Sequence, residues 1–263
     1  MDISAYSTTN NLPHSGNLNS INESLASGSK INRSSDNPAA QAIITALTSQ
    51  VDTQDMATRN ANDGISLLQT ADSASSSITD SLQRMNELSI HSLSGTLNPS
   101  QRSALNQEFQ QNLQSINQVS GSTNFNGNNL LNGDTTTVDI ALGETNSSLN
   151  LPNLSTDALS ITGLDISNPA NASLAQEGIG LAIEQLGSAR SQFGAQQNGL
   201  TSAIDNLQNQ SLNTLATRSQ LSDTDFARAS AEQSRLNILN ESTIALMSQG
   251  TQSKSSVLRL LGI

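Results

Sequence analysis

The sequence predicts a mainly α fold, with long antiparallel coiled-coil helices drawn from both chain ends and a small β-hairpin region in the middle. Three observations carry this expectation. Small or apolar residues recur every 3.5 positions over two long spans, a short central stretch alternates instead, and polar breaks sit at similar distances from the two ends. Those breaks are GSKINRSSDNPAAQAI at Gly28–Ile43 and SDTDFA at Ser222–Ala227. Their pairing describes a chain folded in half.

Taken in order, the N-terminal arm offers Leu18, Ile21 and Leu25 as an apolar stripe, and Pro13 and Gly16 are expected to shorten or bend its helix, because proline costs about 3 kcal/mol in a helix interior. Asn37 reads as an N-cap and Pro38 as the first helical residue, since proline there loses no useful donor. Small or apolar positions then run from Ile43 through Leu47, Val51, Ala57, Ala61, Ile65, Leu68, Ala71, Ile78 and Leu82 to Met85, with Gln54 and Ser75 in the gaps. The 3.5 spacing is that of a left-handed coiled-coil seam. The pattern frays near Gly95, so this helix is about 57 residues and roughly 85 Å long at 1.5 Å per residue. Asn98-Pro99 repeats the start signal, and Leu105, Phe109, Leu113, Ile116 and Val119 carry a second helix to about Ser120.

Two Asn-Gly pairs follow, then the alternation Val138, Ile140, Leu142 and the later Leu149 and Leu151, the signature of a hairpin with one covered face. Residues 152–170 read as a mixed connection with a further short strand at Leu159 to Ile166. Helix returns from about Asn171, with a seam through Ile179, Ala182, Leu186, Ala189, Phe193, Gln196, Leu200, Ala203 and Leu207. Gly178, Gly180, Gly187, Gly194 and Gly199 lie in it, each costing about 0.8–1 kcal/mol relative to Ala. They are expected to admit a close neighbour. The C-terminal arm carries Leu236, Leu239, Leu246, Val257, Leu258 and Leu261. Residues 1–36 and 222–263 thus read as two arms of one domain, and 37–221 as a rod-like domain with its hairpin region at about 121–167.

Composition excludes several function classes. A net charge of -11 with only eleven Lys and Arg gives no basic stripe for nucleic acid. No apolar run approaches the roughly 20 residues of a membrane span, and the N-terminus lacks the basic and apolar regions of a signal peptide. The chain has no cysteine and just two histidines, His14 and His91, in unrelated segments, so no catalytic, cofactor or metal site is expected. Asp223 and Asp225 lack the glycine and closing glutamate of a calcium loop and read as N-capping residues. Gly178-Ile-Gly180 lacks a third glycine and a preceding strand, which leaves no dinucleotide site. The Ser and Thr residues between Thr135 and Ser148 are exposed enough in this scheme to accept glycans.

Several of these segments resemble the flagellin family. LASGSKINRSSDNPAAQAI is similar to the family's LSSG-hydrophobic-RIN-acidic signature, RNANDGISLLQTAD at Arg59–Asp72 nearly reproduces its form, and LQRMNELSIHS at Leu82–Ser92 resembles its next block. INQVSGSTNFNGNNLL, SRLNILNESTIALMSQGTQ and VLRLL continue the match, which spans roughly 17–142 and 175–263 in order. The connection of about 20 residues after the hairpin leaves no room for variable outer domains, so the resemblance is to a minimal flagellin.

That resemblance implies a non-enzymatic, extracellular subunit of the bacterial flagellar filament, exported unfolded through the flagellar type III channel, with arms that order on assembly. The implied partners are other copies of itself, the filament cap protein, hook–filament junction proteins, a flagellar export chaperone and the animal innate-immune flagellin receptor. Leu18, Ile21, Leu25, Leu236, Leu239, Leu246, Val257, Leu258 and Leu261 would then pack the arms and subunit interfaces. Arg84, Leu88 and Glu108 match the family's receptor-facing and subunit-facing positions, while Asn86 replaces a usual Arg and His91 a usual Gln, which weakens the expected recognition. The alternative within the same superfamily is a hook–filament junction protein, against which the NANDGISLLQTAD block and the VLRLL ending argue.

Overall fold

The computed structural model describes residues 12–260, with side chains from Gly16 to Gly250 and at Gln252 and Ser253. Five helices and four short strands follow in the order α1 (Leu12–Ser27), α2 (Pro38–Ser92), α3 (Pro99–Ser122), β1 (Asn124–Phe125), β2 (Asn128–Asn129), β3 (Thr137–Ala141), β4 (Asn146–Asn150), α4 (Pro169–Ser222) and α5 (Phe226–Leu260). They divide into two compact units, one of Met1–Val51 with Leu212–Ile263 and one of Asp52–Ser211.

The three central helices all open on Asn-Pro. Ala40 N–H donates to Asn37 Oδ1 at 3.1 Å, Asn171 N–H donates to Asn168 Oδ1 at 2.9 Å, and Asn98 forms a reciprocal capping box with Gln101. The third start, Asn168-Pro169, sets α4 two residues earlier than the apolar pattern alone placed it. Pro13 falls in the first turn of α1, where its missing donor costs little, and Gly16 lies within the same helix. The helix runs unbroken from Leu12 to Ser27, and the residues ahead of Leu12 lie outside the described ones.

In the 52–211 unit α2 and α4 run antiparallel, since a Cβ on Gly64 would meet Leu200 while Asp72 meets Arg190. Their seams and the inner face of α3 form one core in which Leu68, Ile78, Leu82, Met85, Phe109, Ile116, Ile179, Leu186, Phe193 and Leu200 are buried. Full burial of each large side chain stabilises by about 1.5–3 kcal/mol. Two polar seam residues are accommodated locally, Ser75 Oγ donating to Ala71 O and Ser89 Oγ to Met85 O at 2.7 and 2.8 Å, whereas the buried Gln54 Oε1 has no partner among the described residues. A hydroxyl that bonds back four residues needs no partner across the seam. Gly64, not Ile65, is the fully buried residue of its turn, and Ile43, expected to open the seam, is half exposed.

The central stretch holds two hairpins rather than one. Asn126 and Gly127 have φ of 50° and 83° and join β1 to β2, the doubly positive φ that suits a two-residue turn between twisted strands. β3 pairs antiparallel with β4, Val138 opposite Leu149 and Ile140 opposite Ser147. The apolar side of that ladder packs on the core. The strand expected at Leu159–Ile166 is absent: Leu159, Ser160 and Ile161 N–H donate to Ser155, Asp157 and Thr156 carbonyls, and Ser160 and Gly163 have φ of 56° and 75°. Buried Leu159, Ile161 and Ile166 are thus anchors on successive turns. Of the α4 glycines, only Gly178 has a close neighbour, Leu164, 3.2 Å from where a Cβ would stand, and the other four face open space.

Candidate functional site

The first candidate surface is the pair of arms, which belong to the unit formed by Met1–Val51 and Leu212–Ile263. The two polar breaks meet there and clasp. Ser29 and Asp223 form an isolated antiparallel bridge, Lys30 N–H donates to Ser222 O at 2.7 Å and Thr224 N–H to Gly28 O at 2.9 Å. Gly28 turns at φ 72°. Lys30 Nζ also donates to Gln220 O at 2.8 Å, placing a cation on the carbonyl end of α4, where the helix dipole favours it. Arg33 and Asn32 N–H both donate to Asp36 Oδ2. Those two amides hold the Asp36 carboxyl below its ordinary 3.8, Arg33 contributing most. Asp225 caps α5 by accepting from Arg228 N–H at 3.1 Å, and Asp223 accepts from the Ser219 and Ser222 hydroxyls, which lower its pKa.

Beyond the clasp α1 and α5 run antiparallel, because Ser29 meets Asp223 while Gln233 reaches Asn22 at 2.6 Å. Their seam is thin. Leu236 is buried, Leu18, Ile21 and Leu25 are half-buried, and Leu239 and Leu246 are exposed, Leu246 to 67%. Phe226, Ile238 and Ile244 are exposed as well. At about 100° per residue, Leu239 and Leu246 fall roughly 60–80° to one side of Leu236, Phe226 and Ile244 about 80° to the other, and Ile238 nearly opposite. Apolar side chains thus stand on several sides of an otherwise polar helix. Val257 and Leu258 lie in α5 with side chains outside the described residues, and Leu261 lies outside them altogether.

The second candidate surface is on α2 and α3. Arg84 Nε donates to Glu108 Oε1 at 2.7 Å and Nη1 to Glu87 Oε2 at 2.9 Å, with all three side chains about half exposed. The hydrogen bonds that Arg84 donates to Glu87 and Glu108 raise its pKa. Leu88, expected beside them as a contact, is 2% exposed and belongs to the apolar core. The correction follows from helical phase: Met85, Leu88 and Ser89 share the inward face, and Arg84, Glu87 and His91 the outward one.

Two interactions escaped the sequence reading. Arg190 Nε donates to Asp72 Oδ1 at 2.8 Å across α2 and α4, and Arg102 donates to the Ser92 and Ser94 carbonyls, tying the α2–α3 turn. Each links residues whose separation in sequence carries no motif. Helical phase would have identified them as flanks of the seams. Among the described residues no cluster of three His, Asp or Glu is placed to hold a metal, and no helix is long and apolar enough to cross a membrane.

Residues 2–136 match the family model described as the bacterial flagellin N-terminal helical region, and residues 177–261 the bacterial flagellin C-terminal helical region. A flagellin of Halalkalibacterium halodurans is 36% identical over 244 residues, 91% of this chain and 90% of that one. A flagellin of Bacillus subtilis is 31% identical over 300 residues, 99% and 98% of the two chains. Among solved structures, Bacillus cereus flagellin superposes with a TM-score of 0.52 at 30% identity, over 57% of this chain and 88% of that one. A putative flagellar hook-associated protein from Vibrio parahaemolyticus gives 0.63 at 14% identity over 72% and 100%, a likeness of fold alone.

Proposed function

We propose a filament-building role for this chain, which belongs to the bacterial flagellin family. It acts as a structural subunit that polymerises outside the cell into the helical propeller of swimming motility, with no catalytic step. One observation carries the reading: α5 presents Phe226, Ile238, Leu239, Ile244 and Leu246 to solvent on several sides. Burying the exposed part of each, 39–67%, behind neighbouring copies gains about 0.6–2 kcal/mol, whereas isolated helices this polar are marginal in water. The arms, residues 1–36 and 222–263, therefore order when subunits pack, and in this reading 37–221 serve as the second domain, a division that differs from the compact units bounded at Val51 and Leu212. Contacts of this kind repeat head to tail and do not close, the condition for an open filament.

As in other flagellins, the partners are the filament cap protein, the hook–filament junction proteins and an export chaperone. The innate-immune receptor would meet Arg84 and Glu108 without help from the buried Leu88.

The test is electron microscopy of the purified chain with and without sheared filament seeds, with circular dichroism in parallel. Seeded filaments and a rise in helix content as they grow are expected. A chain that stays monomeric under all seeding conditions would overturn the filament role and favour a hook–filament junction protein.

A further inference from the structure

The chain contains three Asn-Gly bonds, Asn126–Gly127, Asn132–Gly133 and Asn198–Gly199. Each brings together the two ingredients of a slow self-reaction: a side-chain amide carbon and, one residue on, a backbone N–H that no Cβ shields. As dipeptides the three are equivalent. The fold makes them different.

Asn198 lies well inside α4, where the helical ladder fixes the backbone and holds the Gly199 N–H. Asn132 is tied down at both ends of its amide: Asp134 N–H donates to Oδ1 at 3.0 Å, and Nδ2 donates to the Asp134 carboxylate. Asn153 crowds the same bond, its Nδ2 standing 2.6 Å from where a Cβ on Gly133 would be. The Asp134 carboxylate also opposes the nitrogen anion that the reaction requires, since like charges disfavour ionisation.

Asn126 has none of these restraints. It is exposed at the tip of the β1–β2 hairpin, and among the described residues no hydrogen bond engages its side chain or the Gly127 N–H. Nothing lies within 4 Å of a Cβ on Gly127. The strands that hold the turn pair only Asn124 with Asn129 and Phe125 with Asn128, and a ladder that short opens readily.

We propose that Asn126–Gly127 is a site of spontaneous covalent modification, deamidating through a cyclic imide with water as the co-reactant. The Gly127 nitrogen, its proton given to hydroxide, attacks Asn126 Cγ. The N–Cγ bond forms, the Cγ–Nδ2 bond breaks, and Nδ2 leaves as ammonia. Water then opens the ring at either of its two carbonyl C–N bonds. Cleavage at Cγ gives aspartate; cleavage at the backbone carbonyl gives isoaspartate, whose main chain runs through Cβ and Cγ. Either product adds a negative charge to a chain already at -11. Isoaspartate also lengthens the turn by one carbon, which a two-residue loop at φ 50° and 83° does not absorb. The β1–β2 register is then lost, and with it the seat of the partly buried Phe125 on the core. The site needs no second copy of the chain and does not rest on the filament role.

The experiment incubates the full chain in mildly alkaline buffer, digests it in mild acid and follows each Asn-Gly peptide by mass spectrometry, with electron-driven fragmentation to tell isoaspartate from aspartate. Asn126 is expected to lose its amide about tenfold or more faster than Asn132 or Asn198, the rate cost of freeing two hydrogen bonds at Asn132, and to give isoaspartate among its products. In urea strong enough to unfold the chain the three rates should converge. Asp134→Ala, checked for folding by circular dichroism, should speed the reaction at Asn132 and leave Asn126 unchanged. If Asn132 or Asn198 reacts as fast as Asn126 in the folded chain, if the lead of Asn126 survives in urea, if Asp134→Ala leaves Asn132 as slow as before, or if no isoaspartate forms, the proposal is wrong.

Discussion

Gly64 sits in the middle of the 55-residue α2, where glycine costs about 0.8–1 kcal/mol relative to Ala. The structure supplies the reason. A Cβ at this position would stand 3.0 Å from Leu200 Cδ1 and 3.1 and 3.3 Å from Ile140 Cγ1 and Cδ1, so the missing methyl lets α4 and the β3–β4 hairpin close on α2 together. Gly64→Ala gains the propensity term but overpacks against two side chains held in the core, which costs about 1–3 kcal/mol. The net expectation is a loss of up to about 2 kcal/mol, and Gly64→Val should lose more. Gly187 and Gly194 on α4 are the control, since nothing lies within 4 Å of a Cβ at either. Substituting Ala there should stabilise by close to the full propensity difference. Thermal unfolding followed by circular dichroism separates the cases, because 1 kcal/mol moves Tm by about 2–4 °C in a unit of this size. If Gly64→Ala raises Tm as much as Gly194→Ala, the packing argument for this glycine is refuted.

Phe109 is fully buried between α3 and the core, and Phe109→Ala should cost about 3–5 kcal/mol in urea unfolding. Asn98→Ala removes the side-chain acceptor of the α3 capping box, leaving Gln101 N–H without it, and should cost about 1 kcal/mol, with faster amide exchange confined to the first turn. The Asp72–Arg190 pair is about 40% exposed on both sides; a double-mutant cycle should therefore give no more than about 1 kcal/mol of coupling, falling with added salt. Asp165 accepts from the Ser167 hydroxyl and the Asn171 amide ahead of α4, which lower its pKa from 3.8 as those around Asp36 and Asp223 do. A depressed folded pKa gives stability that is complete above the unfolded value and lost as pH falls through the folded one. Helix content should thus hold down to about pH 4 and drop below it, and Asp165→Asn should flatten part of that drop.

What was legible in the sequence was whatever repeats with a period. The 3.5 spacing located α2 and α4, Asn-Pro located the starts of α2 and α3, and the Val138–Leu142 alternation located β3. The same Asn-Pro signal stood at Asn168-Pro169, but it is embedded in a connection without apolar period. The start of α4 was therefore placed late. Leu159–Ile166 misled for a related reason: spacing alone does not distinguish strand residues from anchors on consecutive turns, and Ser160 at positive φ has no sequence signature.

Leu236 and Leu246 show where the limit becomes informative. Both are leucines on one polar helix, ten residues apart, and in sequence both belong to one loose stripe. The structure buries the first against α1 and leaves the second exposed. Helical phase accounts for the difference, since Leu246 points about 80° away from the seam. A fold that needed only its own chain would place polar residues at Leu246, Leu239 and Ile238, because exposed apolar side chains add nothing to monomer stability and invite association. Their presence on several sides of α5 means that the stripe was never a single stripe. It is several narrow seams, of which the chain fills one and leaves the others exposed.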